Sequence, residues 1–173
     1  FSILQNLTMK ALKLFSVISL LTAAFFFACK SSSKEKDVII YKVKTLKWTY
    51  TNADVDNNGV DIGDETSFIG DLVDENGQKG IVLGYNKIIE MPDSNNQFQG
   101  QARITRLVFR FGNDEIIVSG VVDYPKGGSE MKAGFIQRDA IIGGTGKYIG
   151  ARGETVVKRL ESGEYENEFR FLK

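Results

Sequence analysis

Glu164-Tyr165-Glu166-Asn167-Glu168-Phe169-Arg170-Phe171-Leu172 closes the chain with a period of two. Tyr165, Asn167, Phe169 and Phe171 fall on one face of an extended strand, and Glu164, Glu166, Glu168 and Arg170 fall on the other. One face is wet and the other buried, which is how a strand of an antiparallel sheet reads. Working outward from it, β-branched and aromatic stretches recur at 38–52, 65–72, 79–91, 98–111, 115–124, 135–142 and 149–160, with 164–172 the eighth. No apolar period of 3.6 persists over three helical turns. The connectors carry turn chemistry: Asp74-Glu75-Asn76-Gly77, Pro92-Asp93-Ser94-Asn95-Asn96, Gly112-Asn113-Asp114, Pro125-Lys126-Gly127-Gly128 and Gly143-Gly144-Thr145-Gly146. Links this short favour antiparallel neighbours, and eight strands of about ten residues close on themselves because closure removes the edges. The expected fold over 38–173 is therefore all-β, an eight-stranded antiparallel closed barrel.

Composition excludes several kinds of chemistry. Lys+Arg 22 against Asp+Glu 22 leaves no basic excess for a phosphate backbone, so no nucleic-acid partner is expected. With no histidine and one cysteine, the chain cannot build a Ser/His/Asp or Cys/His triad, a His-ligated zinc site or an internal disulfide. Any chemistry rests on Asp, Glu, Tyr, Asn, Lys or Arg.

The N-terminal part reads as an address. Met9 is the first plausible start, Lys10 and Lys13 follow, and an uncharged run then leads to Phe26-Phe27-Ala28-Cys29. The run is shorter than the about 20 residues a bilayer span requires, so residues 1–28 are read as upstream residues plus a secretory signal, with a membrane anchor helix as the other reading. Because the lone cysteine ends it, the segment resembles a bacterial lipoprotein signal. That resemblance implies a diacylated Cys29 at the head of the mature chain, anchored through lipid to the membrane of the bacterial cell envelope, facing the periplasm or the surface. Residues 29–37 are polar and read as a tether. Removal of 1–28 takes away two of the 22 basic groups and none of the 22 acidic ones, leaving a net charge of about −2.

Two loops invite a ligand reading. Gly143-Gly144-Thr145-Gly146-Lys147 is no phosphate cradle, since Tyr148 replaces the required Ser/Thr and no helix follows. The segment from Asp54 to Glu65 has the spacing of a calcium loop, with Asp54, Asp56, Asn58, the Val60 carbonyl and Glu65 as the ligand set for Ca²⁺. Its flanks are strand-like and Asp61 stands where an apolar residue is usual, so a solvated acidic turn is the competing reading.

Gly80-Ile81 with Gly84, Phe111-Gly112, Gly120 and above all Ile141-Ile142-Gly143-Gly144-Thr145-Gly146-Lys147-Tyr148-Ile149-Gly150-Ala151-Arg152-Gly153 resemble the allene oxide cyclase and dirigent barrel superfamily. The resemblance spans residues 46–173. It implies an eight-stranded barrel with an apolar pocket at one mouth, a trimer of identical chains, and work on reactive small molecules. Of the cyclase positions, Asn52 matches the family asparagine, whereas Tyr50, Asn86 and Val122 stand where a glutamate, a cysteine and a tyrosine are expected. In the dirigent branch Asp54 can serve as the acid, but Val121 and Val122 replace the arginine and polar pair. Neither family reaction is supported by the residues.

What the resemblance leaves is a pocket lined by Tyr50, Asn52, Asn86 and Tyr124, suited to a small apolar or aromatic molecule held by a few hydrogen bonds. Guided isomerisation or cyclisation would then come from confinement, with no required cofactor. The other reading is a plugged barrel, a non-catalytic carrier or envelope interaction module. Among Arg103, Arg106 and Arg110, which share a strand with Leu107, Phe109 and Phe111, at least one is placed to face inward, although such arginines more often line a solvated face.

Overall fold

The computed structural model describes residues 38–92, 100–125 and 131–173. The signal segment 1–28, Cys29 and the tether lie outside these residues, as do Asp93-Ser94-Asn95-Asn96 and Lys126-Gly127-Gly128 of the expected turns. Eight strands follow in order: β1 (Val38–Ala53), β2 (Glu65–Asp74), β3 (Lys79–Glu90), β4 (Gly100–Phe111), β5 (Asp114–Pro125), β6 (Ile136–Thr145), β7 (Gly153–Arg159) and β8 (Tyr165–Leu172). Each pairs antiparallel with the next, and β8 pairs with β1, so the sheet closes into a barrel with no open edge. Among the described residues there is no α-helix, only a 3₁₀ turn at Gly146–Tyr148.

The period-two face of the last strand is the one the barrel buries: Tyr165, Asn167 and Phe169 point inward while Glu166 is exposed. Phe169 is fully buried and meets Phe109 edge-on at 4.9 Å between ring centroids. Around them Val43, Leu72, Val82, Phe111, Ile116 and Ile141 fill one half of the interior. The same end is stoppered by aromatics, since Tyr148 from the 3₁₀ turn stacks on Phe171 at 5.7 Å and Tyr41 packs edge-on against Phe111 at 6.0 Å. The Tyr41 hydroxyl donates to Asp74 Oδ2 at 3.0 Å, and burial first, then Tyr148 and Asp74, push its pKa well above the ordinary phenol value.

Two departures from sequence expectation bear on the interior. The glycine motif is not a turn at Gly143 to Gly146: β6 runs through Gly143, Gly144 and Thr145, and β7 begins only at Gly153 rather than near 149. The reason is packing, because a Cβ on Gly144 would come within 2.6 Å of Tyr148 Cβ, so the missing side chain is what lets Tyr148 fold back over the barrel end. The second departure is in β1, where the register slips between Thr45 and Lys47. Strict alternation from buried Val43 and Thr45 would send Lys47 and Thr49 inward. The bulge at Leu46 switches the parity, so Trp48, Tyr50 and Asn52 take the inner face instead.

On the outside, Ile69, Leu83, Val108 and Ile117 stand in one register row across four neighbouring strands, β2 to β5. They form an apolar band on the wall opposite the solvated charges of β8.

Candidate functional site

Toward the other end the interior changes character from aromatic and aliphatic to mixed. Inner-face positions supply Trp48 and Tyr50 from β1, Thr66 and Phe68 from β2, Asn86 from β3, Thr105 and Leu107 from β4, Tyr124 from β5, Gln137 and Asp139 from β6, Val157 from β7, and Tyr165 and Asn167 from β8. They enclose a cavity of about 80 Å³. That is room for several waters but about half the volume of an apolar cavity known to hold one benzene ring, so a ring-sized ligand must shift side chains or extend through the mouth. Tyr50, at 50% exposure, is the wall residue free to swing, whereas Asn86 at 3% is fixed.

The polar groups form two clusters. In the first, Arg103 of β4 donates from Nη2 and Nε to Gln101 Oε1 at 2.6 and 3.2 Å, and from Nη1 to Asn86 Oδ1 at 3.3 Å. Asn86 Nδ2 donates onward to the Tyr124 hydroxyl at 3.3 Å, and the Arg103 guanidinium carbon sits 4.3 Å from the Tyr124 ring centroid. Burial lowers the Arg103 pKa, and burial, with Tyr165 adding, pushes the Tyr124 phenol up to about 12. In the second cluster the Gln137 amide donates to both oxygens of Asp139 at 2.6 Å. Asp139 has room only because Gly120 carries no side chain; a Cβ there would collide with Asp139 Oδ1. Among the described residues, Trp48 Nε1, Thr105 Oγ1 and Thr155 Oγ1 around these clusters are buried without a hydrogen-bond partner.

Burial raises the Asp139 pKa and the Gln137 amide only partly pulls it back. The folded barrel therefore prefers the neutral carboxyl, and the stability tied to that preference is present in acid and lost as pH rises through the folded-state value. Asp139→Asn is expected to grow more stable relative to the wild type as pH climbs from about 4 toward neutrality. Thermal melts of both proteins across that range check it, and a difference that stays flat with pH contradicts it.

Of the pocket set read from the sequence, Tyr50, Asn86 and Tyr124 come together on this cavity. Asn52 does not line it. It lies one inner position farther out on β1, exposed, with its Oδ1 accepting from the Thr66 hydroxyl at 2.8 Å. Val122, at the family tyrosine position, is buried beside Met131, Val157 and Tyr165. Of the three arginines in β4, Arg103 faces inward and is 7% exposed, while Arg106 and Arg110 face out. Arg103 as a specific site residue, and Gln101, Thr105, Gln137 and Asp139 altogether, escaped the sequence reading. The available signal was parity, since counting back by two from buried Ile141 reaches Asp139 and Gln137.

The acidic loop departs from the calcium spacing. Carboxylate oxygens of Asp54, Asp56 and Asp64 lie within 4.8 Å of one another, so Asp64 occupies the place expected for Glu65. Glu65 instead faces Lys87 across the β2–β3 ladder at 3.5 Å, and Val60 is exposed. The Asp64 oxygens already accept from the Val55 and Asp61 amides at 3.0 and 3.1 Å, and Asn58 Nδ2 donates to Asp56 and Asp61 at 2.9 and 2.8 Å. The ligand set Asp54, Asp56, Asn58, Val60 and Glu65 is thus not assembled as one shell. Turn hydrogen bonds engage Asp54, Asp56 and Asp64, while Asp61 Oδ1 is buried with no partner among the described residues. A wider groove of about 380 Å³, lined largely by outward-facing residues including Lys42, Lys44, Lys158, Glu166 and Glu168, brings no inner-face cluster of this kind together.

The sequence matches no family model and no curated relative. Solved structures do resemble it. A pyocyanin demethylase aligns at 21% identity with a TM-score of 0.56, covering 79% of this chain and 98% of that one. A cyclase that catalyses a cycloaddition in neoabyssomicin biosynthesis, described as binding haem nonspecifically, aligns at 16% identity and TM-score 0.55, over 83% of this chain and 67% of that one. A Diels–Alderase from Streptomyces koyangensis aligns at 15% identity and TM-score 0.54, over 90% and 78%. At these identities the likeness establishes architecture: the chain has the closed eight-stranded barrel shared by these small cyclase-like and demethylase structures.

Proposed function

We propose that the barrel holds a small apolar or aromatic molecule in the cavity lined by Trp48, Asn86 and Tyr124 and guides its isomerisation or cyclisation by confinement. One observation carries this reading: among the described residues aromatics stopper one end of the interior, and toward the other a cavity walled by Trp48, Phe68, Leu107 and Val157 also presents Asn86, Tyr124 and a buried carboxyl, Asp139. Apolar filling does not run through both halves, since the buried polar residues Asn86, Thr105, Gln137, Asp139 and Asn167 stand on the cavity lining. Confinement and orientation supply the rate effect, and Asp139, whose pKa burial raises, is the carboxyl on the cavity lining placed to exchange a proton. The barrel neighbours named for cycloaddition and demethylation support this class of function by architecture.

Trp48 is the chain's one tryptophan and lines the cavity, so its emission reports on occupancy directly. Titration with phenylacetamide or benzyl alcohol is expected to shift Trp48 emission saturably, and Val157→Phe, which fills the cavity, is expected to abolish the response. A non-saturable response, or one equal in the variant, overturns the reading.

Export and lipid anchoring through Cys29 belong to the same proposal, supported by the basic residues, uncharged run and terminal cysteine of the leader. Cys29→Ser is expected to move the protein from the detergent phase to the aqueous phase, since acylation supplies the membrane affinity. Unchanged partitioning of the variant contradicts it.

A further inference from the structure

Arg103 is a buried cation whose partners among the described residues are all neutral: the Gln101 and Asn86 amide oxygens and the Tyr124 ring. Burying a charge without an opposite one is costly, and hydrogen bonds to amides offset only part of the cost. The cavity wall next to it has the same imbalance in hydrogen bonding. Thr105, 5% exposed and one inner position from Arg103 on β4, has an unpartnered hydroxyl, and Trp48 Nε1, which can only donate, is unpartnered as well. The Tyr124 hydroxyl accepts from Asn86, which leaves its own proton to give. The wall therefore holds spare donors, and the positive charge of Arg103 stands directly behind it, against the lining residues Asn86 and Tyr124. Among the described lining residues the carboxyl is Asp139, which Gln137 engages through both oxygens.

We infer that the molecule this cavity accepts carries a carboxylate on its apolar body, seated against the Thr105 and Tyr124 hydroxyls and the Trp48 indole N–H, with Arg103 balancing its charge. The inference rests on the binding reading above and narrows it to the anionic members of that class. An anionic oxygen would supply the acceptors that Trp48 and Thr105 lack and the counter-charge that Arg103 lacks, in a site where water competes weakly. Asp139 limits the pH range in which this works, since its ionised form would repel a second carboxylate; Tyr124, Tyr165 and Arg103 are the other titratable groups near it.

Phenylacetate and phenylacetamide are matched in shape and differ in charge. With the full chain and Trp48 emission as the readout, phenylacetate is expected to bind at least about tenfold tighter than the amide in mildly acidic solution, the preference narrowing as pH rises. Arg103→Gln, which keeps the side-chain amide contacts but not the charge, is expected to erase the preference, and Arg103→Lys to retain part of it. Equal binding of acid and amide to the wild type overturns the inference while leaving the binding reading intact. So does a preference that survives in Arg103→Gln. If neither probe shifts Trp48 saturably, both the inference and the binding reading fall. Should Arg103→Gln not fold, Thr105→Val serves in its place: loss of the hydroxyl is expected to weaken phenylacetate severalfold and the amide less, and an equal loss for both counts against the carboxylate seat.

Discussion

Gly153→Ala is expected to destabilise the barrel by about 3 to 5 kcal/mol, roughly 10–20 °C in melting temperature for a domain of this size. Gly153 opens β7 with φ at +146°, and it is paired on both sides, with Ile141 of β6 and Phe171 of β8. A Cβ there would strike the Arg170 carbonyl oxygen and crowd Phe171 Cα at 3.2 Å. Both are backbone of a ladder that closes the barrel, so neither gives way without breaking β7–β8 pairing. Gly163 separates the two contributions. Its φ is +86°, but a Cβ on it meets nothing within 4 Å, so Gly163→Ala carries backbone strain alone and is expected to cost about 1 kcal/mol. Denaturant unfolding of the two variants tests this. Equal losses would mean that the close strand approach at Gly153 has no special role.

Gly153 also shows what a sequence reading can and cannot reach. The glycine motif from 141 to 153 points to a barrel corner, and the corner is real, but placing it needs Tyr148, whose packing over Gly144 is a tertiary fact. Strand existence is legible where period two runs uninterrupted, most clearly at Tyr165, Asn167 and Phe169. Which face is inner is legible only until a bulge intervenes. Lys47 and Thr49 look like interior residues if counted from Val43, and the slip at Leu46 that corrects them has no marker such as glycine or proline. The extra residue at Ile142, between the partners of Ile117 and Val118, stands beside Gly143 and is better announced.

The site follows the same logic. Tyr50, Asn86 and Tyr124 came from a resemblance and share a cavity; Asp139 and Arg103 are charged residues in strands, where exposure is the default expectation. Their burial depends on who is opposite, namely a glycine at 120 for Asp139 and an amide and a phenol for Arg103. Likewise the twelve-residue spacing from Asp54 to Glu65 resembles a helix-flanked loop, but here a strand begins at Glu65 and turns its side chain to Lys87, leaving Asp64 to cap the loop.

Asn86→Leu is expected to lower stability by about 2 to 4 kcal/mol, because it removes the acceptor of a buried guanidinium and the donor to a buried phenol in one step. Asn52→Leu, by contrast, deletes one exposed contact to the Thr66 hydroxyl and is expected to stay within about 0.5 kcal/mol of the wild type. A change of both residues should therefore match Asn86→Leu alone. The two sites share no hydrogen-bond partner, so additivity is expected. Asn86→Asp discriminates lost packing from stranded charge. It is close to isosteric and places a carboxylate where Arg103 Nη1 now meets an amide oxygen, while the Tyr124 hydroxyl can reverse its role and donate. If the cost of Asn86→Leu comes from the uncompensated guanidinium, Asn86→Asp should be at least as stable as the wild type near neutral pH. If it comes from shape alone, Leu and Asp should both be poor. Chemical denaturation of the three variants decides between these, and a stable Asn86→Leu protein would mean that Arg103 is satisfied without Asn86.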